Sequence, residues 1–199
     1  MASRNPILSS SPFPCAKKQP AKLVWRKRIL GLLVSFVGHT VPAGGAPAQN
    51  TTASLCRADE QSFFACSVAR STKLISLCGS KSLDNRRGYL QYRYGKSGAI
   101  ELQFPQARAN TQLAFRYAHY FRAQVERTEI TFDNQDYRYT IFDYYEGDLK
   151  PVTVIAGVRV SKHGATQAET ELLCQGKALT RLGALETIIP RDADNPLNR

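Results

Sequence analysis

The most regular feature of this 199-residue chain is the segment Val152–Ser161, in which every second residue is apolar. The alternating positions are Val152, Val154, Ala156, Val158 and Val160. Successive side chains of a β-strand point to opposite faces, so a period of two predicts a strand with one face in the core. The same pattern, interrupted by short polar turns, recurs along the chain and indicates an all-β protein.

Further strands are predicted wherever short apolar or alternating runs lie between turn residues. They are Ser62–Val68, Lys73–Cys78, Gly88–Tyr94, Ala99–Phe104, Glu129–Phe132, Tyr137–Phe142 and Glu169–Cys174. Phe115–Val125 fits either a strand or a short helix, and the leucines after residue 178 allow a short C-terminal helix. About seven or eight short strands with frequent turns predict an antiparallel sandwich or barrel.

Loop parity predicts the register of two hairpins. A three-residue loop at Lys96–Gly98 places Tyr94 opposite Ile100 and brings the apolar residues of both strands to one face. The glycine that ends this loop is then expected in the left-handed region, as part of a bulge. In the second hairpin, a four-residue loop pairs Phe132 with Tyr137.

The first 48 residues read as a leader that is separate from the folded domain. Basic residues at 26–28 precede an apolar run at 29–41 and a small-residue stretch that ends at Ala48, which is the order found in a secretory signal peptide. Residues 25–48 are therefore predicted to be a signal peptide, with cleavage before Gln49 or, as an alternative, after Ala43. Residues 1–24 are expected to be disordered or to lie before the true translation start. Residues 49–190 then form one β domain and residues 191–199 a polar tail.

The net charge of +11 comes mostly from the predicted leader. The first 48 residues hold seven of the 27 basic residues and none of the 16 acidic ones, which leaves 20 against 16 and a net charge of +4. A mild positive charge of this size is not typical of a nucleic-acid-binding domain. We therefore expect no nucleic-acid partner, and contact with a membrane only through the signal peptide.

Four cysteines remain after the leader: Cys56, Cys66, Cys78 and Cys174. An even number of cysteines in an exported chain predicts disulfides, and their spacing lacks the C-x-x-C motif of a zinc site. Three pairings are possible. The favoured hypothesis joins Cys66 to Cys78 within a hairpin and Cys56 to Cys174 across the domain.

No catalytic motif is present in the predicted mature chain. It lacks the G-x-S-x-G motif, and its two histidines are His119 and His163. Candidate carboxylates for acid–base chemistry are Glu101, Glu126, Glu129 and Asp143, but their spacing singles out no pair. The sequence therefore predicts neither catalysis nor a metal or cofactor site, and a hydrolase using His119 is kept only as an alternative.

Tyrosine and arginine give the chain its one distinctive chemical bias. All nine tyrosines lie between Tyr89 and Tyr145, interleaved with arginines, and both residue types are enriched at recognition surfaces. Many of these tyrosines are expected to be structural, because tyrosine also suits half-buried strands. The residues predicted to bind a partner are Arg86, Arg87, Tyr89, Arg93, Lys96 and Ser97.

The segment that runs from Phe64-Ala65-Cys66 through Gly88-Tyr89-Leu90-Gln91-Tyr92-Arg93-Tyr94-Gly95 to Pro105 resembles a family of small exported proteins of Gram-negative bacteria. The resemblance covers roughly Cys56 to Cys174 and implies a periplasmic or secreted location without implying an activity. These observations together predict an exported, non-catalytic binding or structural module whose partner is an envelope protein or a glycan. The alternative is a periplasmic inhibitor of a hydrolase such as lysozyme, with the loop Lys96–Gly98 entering the target.

Overall fold

The computed structural model describes residues 53–165 and 170–198, and the predicted leader lies outside them. The described chain is all-β, with ten strands in two antiparallel five-stranded sheets that pack as a sandwich. This confirms the predicted fold class and selects the sandwich over the barrel. The short helix predicted after residue 178 is a 3-10 turn, Leu182–Leu185. Within these residues no helix is long and apolar enough to span a membrane.

The first sheet contains the strands of the N-terminal half and has the order β10-β1-β2-β3-β4. Its strands are β1 Glu60–Ser67, β2 Leu74–Ser80, β3 Leu90–Lys96, β4 Ala99–Phe104 and β10 Leu179–Thr180. The second sheet is a meander with the order β5-β6-β7-β8-β9. Its strands are β5 Phe115–Arg122, β6 Val125–Asn134, β7 Tyr137–Glu146, β8 Thr153–Lys162 and β9 Thr170–Leu173. The ambiguous segment Phe115–Val125 is thus a strand that turns into the next one.

The core lies between the two sheets and is built from the alternating residues that the sequence indicates. On the second sheet, one row of opposed residues is Tyr117, Ile130, Ile141 and Val158, all of them buried. Aromatic rings from both sheets meet beside this row, and the Phe104 and Phe132 rings stack with centroids 4.7 Å apart. Burial of apolar and aromatic surface of this kind is the main stabilising contribution in a sandwich.

The second hairpin prediction places the correct residues on the inner face, but the first is wrong for Ile100, which lies opposite Gly95 and is 45% exposed. At the inner pairs both registers are wrong by two residues. Tyr94 lies opposite Leu102 instead of Ile100, because the turn is shorter than predicted and the bulge falls at Gly95. Phe132 lies opposite Tyr139 instead of Tyr137. A shift of two residues preserves the face of a side chain, so the apolar pattern alone could not detect it at Tyr94 or Phe132. The bulge between Tyr94 and Gly95, by contrast, turns Ile100 away from the core.

The two disulfides join Cys56 to Cys78 and Cys66 to Cys174, so the favoured pairing is wrong. Within the β1–β2 hairpin Cys66 lies opposite Ile75, near the turn, whereas the other hairpin cysteine lies opposite Ser62. The two hairpin cysteines are therefore too far apart along the ladder to bond. The second disulfide instead ties β1 to the segment that follows β9 in the other sheet.

The residues predicted as a polar tail pack against the second sheet. Arg191 forms an isolated parallel β-bridge with Tyr117. The Asp192 amide donates a hydrogen bond to the Tyr117 carbonyl at 2.8 Å. The side chains of Asp192 and Asn195 are buried. These polar residues are ordered because donors and acceptors of the second sheet form hydrogen bonds with them.

Candidate binding surfaces on the second sheet

The inner face of the second sheet extends past the cover that the first sheet provides. Phe121, Glu126, Tyr145 and Val154 oppose one another across β5 to β8, and we call these four residues the uncovered row. Phe121 is 71% exposed and Val154 is 64% exposed. The strands β6, β7 and β8 have ten residues each, whereas those of the first sheet have at most eight, so this end remains open. Exposed apolar side chains grouped at one end of a sheet and flanked by polar ones, here Glu126, are typical of an interaction site.

One step deeper than the uncovered row, the sandwich contains a groove of about 600 Å³. Its walls include Val154, Ala156 and Ala178, with Lys177 also on its lining. Asp143 is the one carboxylate on this lining. Burial raises the pKa of Asp143, and a hydrogen bond with Thr180 opposes that effect in part. A largely apolar cleft with one convergent polar group is the usual form of a ligand site.

The groove opens beside an edge of β8. β9 pairs with β8 only from Gly157 to Val160, and the last contact on that side is the Cys174 amide, which donates to the Ala156 carbonyl at 2.9 Å. Backbone groups of a strand alternate in direction, so those of Val154 point to the same side as those of Ala156. Among the residues that the structure describes, no strand pairs with that side of β8 at residues 153–155. This segment is an open sheet edge with an apolar side chain on each face.

Two of the residues predicted to bind a partner are used inside the protein. The Arg93 side chain is fully buried and forms an ion pair with Glu60, so it has no surface to offer to a partner. Tyr89 donates a hydrogen bond from its hydroxyl group to the same carboxylate at 2.8 Å. Both side chains stabilise the outer face of the first sheet.

The other four predicted binding residues lie at turns of the first sheet and do not converge on one site. Arg86 is exposed, and Arg87 forms an ion pair with Asp84 in the same turn at 3.0 Å. Lys96 and Ser97 are exposed at the hairpin between β3 and β4. These residues remain accessible, but the structure places them apart from the uncovered row.

The candidate acid–base residues are divided between the two faces of the second sheet and the first sheet. On the inner face, His119 lies 3.3 Å from Glu126, measured from Nε2 to Oε1, and Asp143 lines the groove. Glu129 is buried on the outer face, and Glu101 forms an ion pair with Lys73 on the first sheet. No nucleophile is paired with His119 within the described residues.

Three potential metal ligands lie close together, namely Cys56, Glu60 and Cys78. The two cysteines are bonded to each other, and the carboxylate already accepts hydrogen bonds from Arg93. A disulfide sulfur is not the thiolate that a metal needs. This cluster is therefore structural in the oxidised protein.

The sequence did not point to the uncovered row, because the strict alternation of residues 152–161 gave Val152 and Val154 the pattern of core residues. Both are more than half exposed. The one available signal was strand length. When an alternating strand is much longer than the strands of the facing sheet, part of its apolar face is expected to project beyond that sheet and remain exposed. Comparison with protein-family models, curated proteins and solved structures finds no match to the chain.

Proposed function

We propose that this protein is a non-catalytic binding module of an oxidising compartment outside the cytoplasm, and that it binds an extended segment of a partner protein along the open edge of β8. The observation that carries this proposal is Val154, whose side chain is 64% exposed and whose backbone faces an edge with which no strand of residues 53–165 or 170–198 pairs. The two disulfides support the compartment, because such bonds persist where thiols are oxidised. The periplasm is the specific compartment that the signal-like leader favours.

A peptide strand satisfies the chemistry of this edge better than a small molecule does. The unpaired N–H and C=O groups of a sheet edge match the backbone of another extended chain, and addition of a strand gives affinity through main-chain hydrogen bonds. Alternate side chains of that strand would point to the side of the groove lined by Ala156 and Ala178. Specificity would then come from small or medium apolar side chains at every second position.

The carboxylate in the groove defines the partner further. Asp143 has Thr180 as its hydrogen-bonding neighbour, and burial raises its pKa. A hydrogen-bond donor or a basic side chain from the incoming strand would satisfy this group without leaving an unpaired charge. The expected partner segment is therefore an apolar, alternating strand with a donor at one groove-facing position.

A matched pair of variants tests the proposal. Val154→Lys adds charge at the open edge, whereas Leu113→Lys changes a residue of similar exposure, 60%, in a 3-10 turn away from that edge. On an array of eight-residue peptides with alternating apolar residues, the unaltered protein and Leu113→Lys should bind a common subset, and Val154→Lys should lose it.

Methylation of the peptide backbone gives a second readout. For a bound peptide, N-methylation at successive positions should weaken binding with a period of two, because only alternate N–H groups face β8. Equal effects at all positions, or full binding by Val154→Lys, would contradict strand addition. Concentration-dependent dimers that Val154→Lys abolishes would show instead that the edge pairs with a second copy.

A further inference from the structure

A second cavity lies on the opposite, outer face of the second sheet, and it is independent of the β8 edge. Its volume is about 400 Å³, within the range of small-molecule sites. β6, β7 and β8 form its floor, and the segment from Asp192 to Leu197 forms one wall. We propose that this cavity binds a neutral, hydroxyl-rich ligand such as a saccharide.

The floor of the cavity is a rigid polar cluster centred on Glu129. Its buried carboxylate accepts hydrogen bonds from the Tyr144 hydroxyl, from Arg159 and from Asn195, the last at 2.6 Å. The Arg159 guanidinium also packs over the Phe142 ring, 4.7 Å from its centroid. Because each of these side chains is fixed by the others, the floor is organised before a ligand arrives.

The walls supply hydroxyl groups, both charge signs and a small apolar area. Thr140 and Ser161 contribute hydroxyls, and Pro196 and Leu197 contribute the apolar part. Next to them, Asp192 accepts a hydrogen bond from the Thr131 hydroxyl at 2.7 Å. Saccharides present both donors and acceptors beside apolar C–H groups, which matches a wall of this composition.

The charge of the lining argues against a strongly ionic ligand. Three carboxylates line the cavity, from Glu129, Asp192 and Asp194, against two guanidinium groups, from Arg138 and Arg159. Glu129 pairs with Arg159, and Arg138 pairs with Asp133 outside the cavity at 2.9 Å. These two pairs leave the carboxylates of Asp192 and Asp194, which would repel a phosphate and can accept hydrogen bonds from the hydroxyl groups of a neutral ligand. Two carboxylates are a small charge for a polycation. A neutral ligand that exchanges hydrogen bonds with both kinds of group fits best.

The test uses the full-length oxidised protein and compares defined probes by NMR titration. Methyl α-glucopyranoside and N-acetylglucosamine should shift the amide signals of Thr140 and Asn195 saturably, whereas inorganic phosphate, acetate and spermidine should not. Ser161→Trp, which fills the cavity, should weaken saccharide binding at least about tenfold, the equivalent of 1.4 kcal/mol. Ser82→Trp, at an exposed residue in the turn that follows β2, should leave it unchanged.

Ser161→Ala distinguishes a loss of binding from a loss of folding. It removes only a hydroxyl group, so it should weaken saccharide binding without changing the melting temperature. Saturable shifts with phosphate or acetate alone would overturn the proposal, as would no shift with either saccharide. Retained binding in Ser161→Trp would also overturn it. Loss of peptide binding in Val154→Lys should leave the saccharide shifts intact, which separates this cavity from the edge of β8.

Discussion

The guanidinium of Arg93 and the carboxylate of Glu60 form a paired set of hydrogen bonds, Nη1–Oε2 at 2.6 Å and Nη2–Oε1 at 2.7 Å, and both side chains are fully buried. The chain passes over this pair at Leu55, whose carbonyl accepts a third hydrogen bond from Arg93. The Cys56–Cys78 disulfide holds that covering segment in place. An arginine that resembles a recognition residue in the sequence is thus part of the structural framework.

Glu60→Gln should destabilise the protein strongly, because it leaves the buried charge of Arg93 without its partner. A loss of about 3–5 kcal/mol in the free energy of unfolding is expected, measured by urea denaturation. Glu101→Gln is the matched control, since its ion pair with Lys73 is screened by solvent and should change the free energy of unfolding little. Equally small changes in the free energy of unfolding for both variants would contradict a buried Arg93–Glu60 ion pair that excludes water.

The stability of the protein should fall as Glu60 becomes protonated. Burial alone would raise the pKa of this carboxyl, but hydrogen bonds from Arg93, the Arg57 amide and Tyr89 lower it from 4.5 to about 2. A lowered pKa in the folded state stabilises the protein above pH 4.5, and this contribution disappears as the pH falls towards 2. The urea midpoint should drop across that window. Glu60→Gln should flatten the drop, and an unchanged slope in this variant would argue against Glu60 as its source.

The two disulfides should differ in their contribution to stability. They close loops of 22 and 108 residues, for which the chain-entropy model gives about 3.4 and about 4.8 kcal/mol. Replacing Cys66 and Cys174 with alanine should therefore lower the melting temperature more than replacing Cys56 and Cys78. Peptide mapping of the unreduced protein should recover the Cys56–Cys78 and Cys66–Cys174 pairs. Recovery of a Cys66–Cys78 peptide would show that the fold of the first hairpin is different.

Two glycines of the β3–β4 hairpin should respond unequally to substitution by alanine. A Cβ on Gly95, where φ is +146°, would lie 2.5 Å from the Ala99 carbonyl oxygen, so Gly95→Ala should cost about 2 kcal/mol or more. Gly98 has φ +78° and no heavy atom within 4 Å of such a Cβ, so Gly98→Ala should cost only about 1 kcal/mol. Melting temperatures compare the two. A larger loss of stability in Gly98→Ala than in Gly95→Ala would contradict this register and favour the one predicted from the sequence, with its bulge at Gly98.

The sequence predicts the strands and their inner faces well, because alternation is a local property of each strand. Phe132 and Tyr94 were placed on the correct face although both partners were wrong, since a two-residue shift does not change the face. The disulfide pairing was not predictable in the same way, because it depends on where Cys66 and Cys174 lie between sheets. The uncovered row was missed for a related reason: the exposure of Val154 depends on the length of the facing sheet, which no pattern within β8 reveals.

Amide hydrogen exchange at Val154 tests most directly whether the β8 edge is a docking site for an extended chain. In the free protein the Val154 amide should exchange rapidly while that of Ile155, which faces β7, is protected. A peptide selected on the array should slow exchange at Val154 in the unaltered protein and in Leu113→Lys. Protection of Val154 in the free protein at high dilution, or unchanged exchange with the peptide bound, would contradict the account.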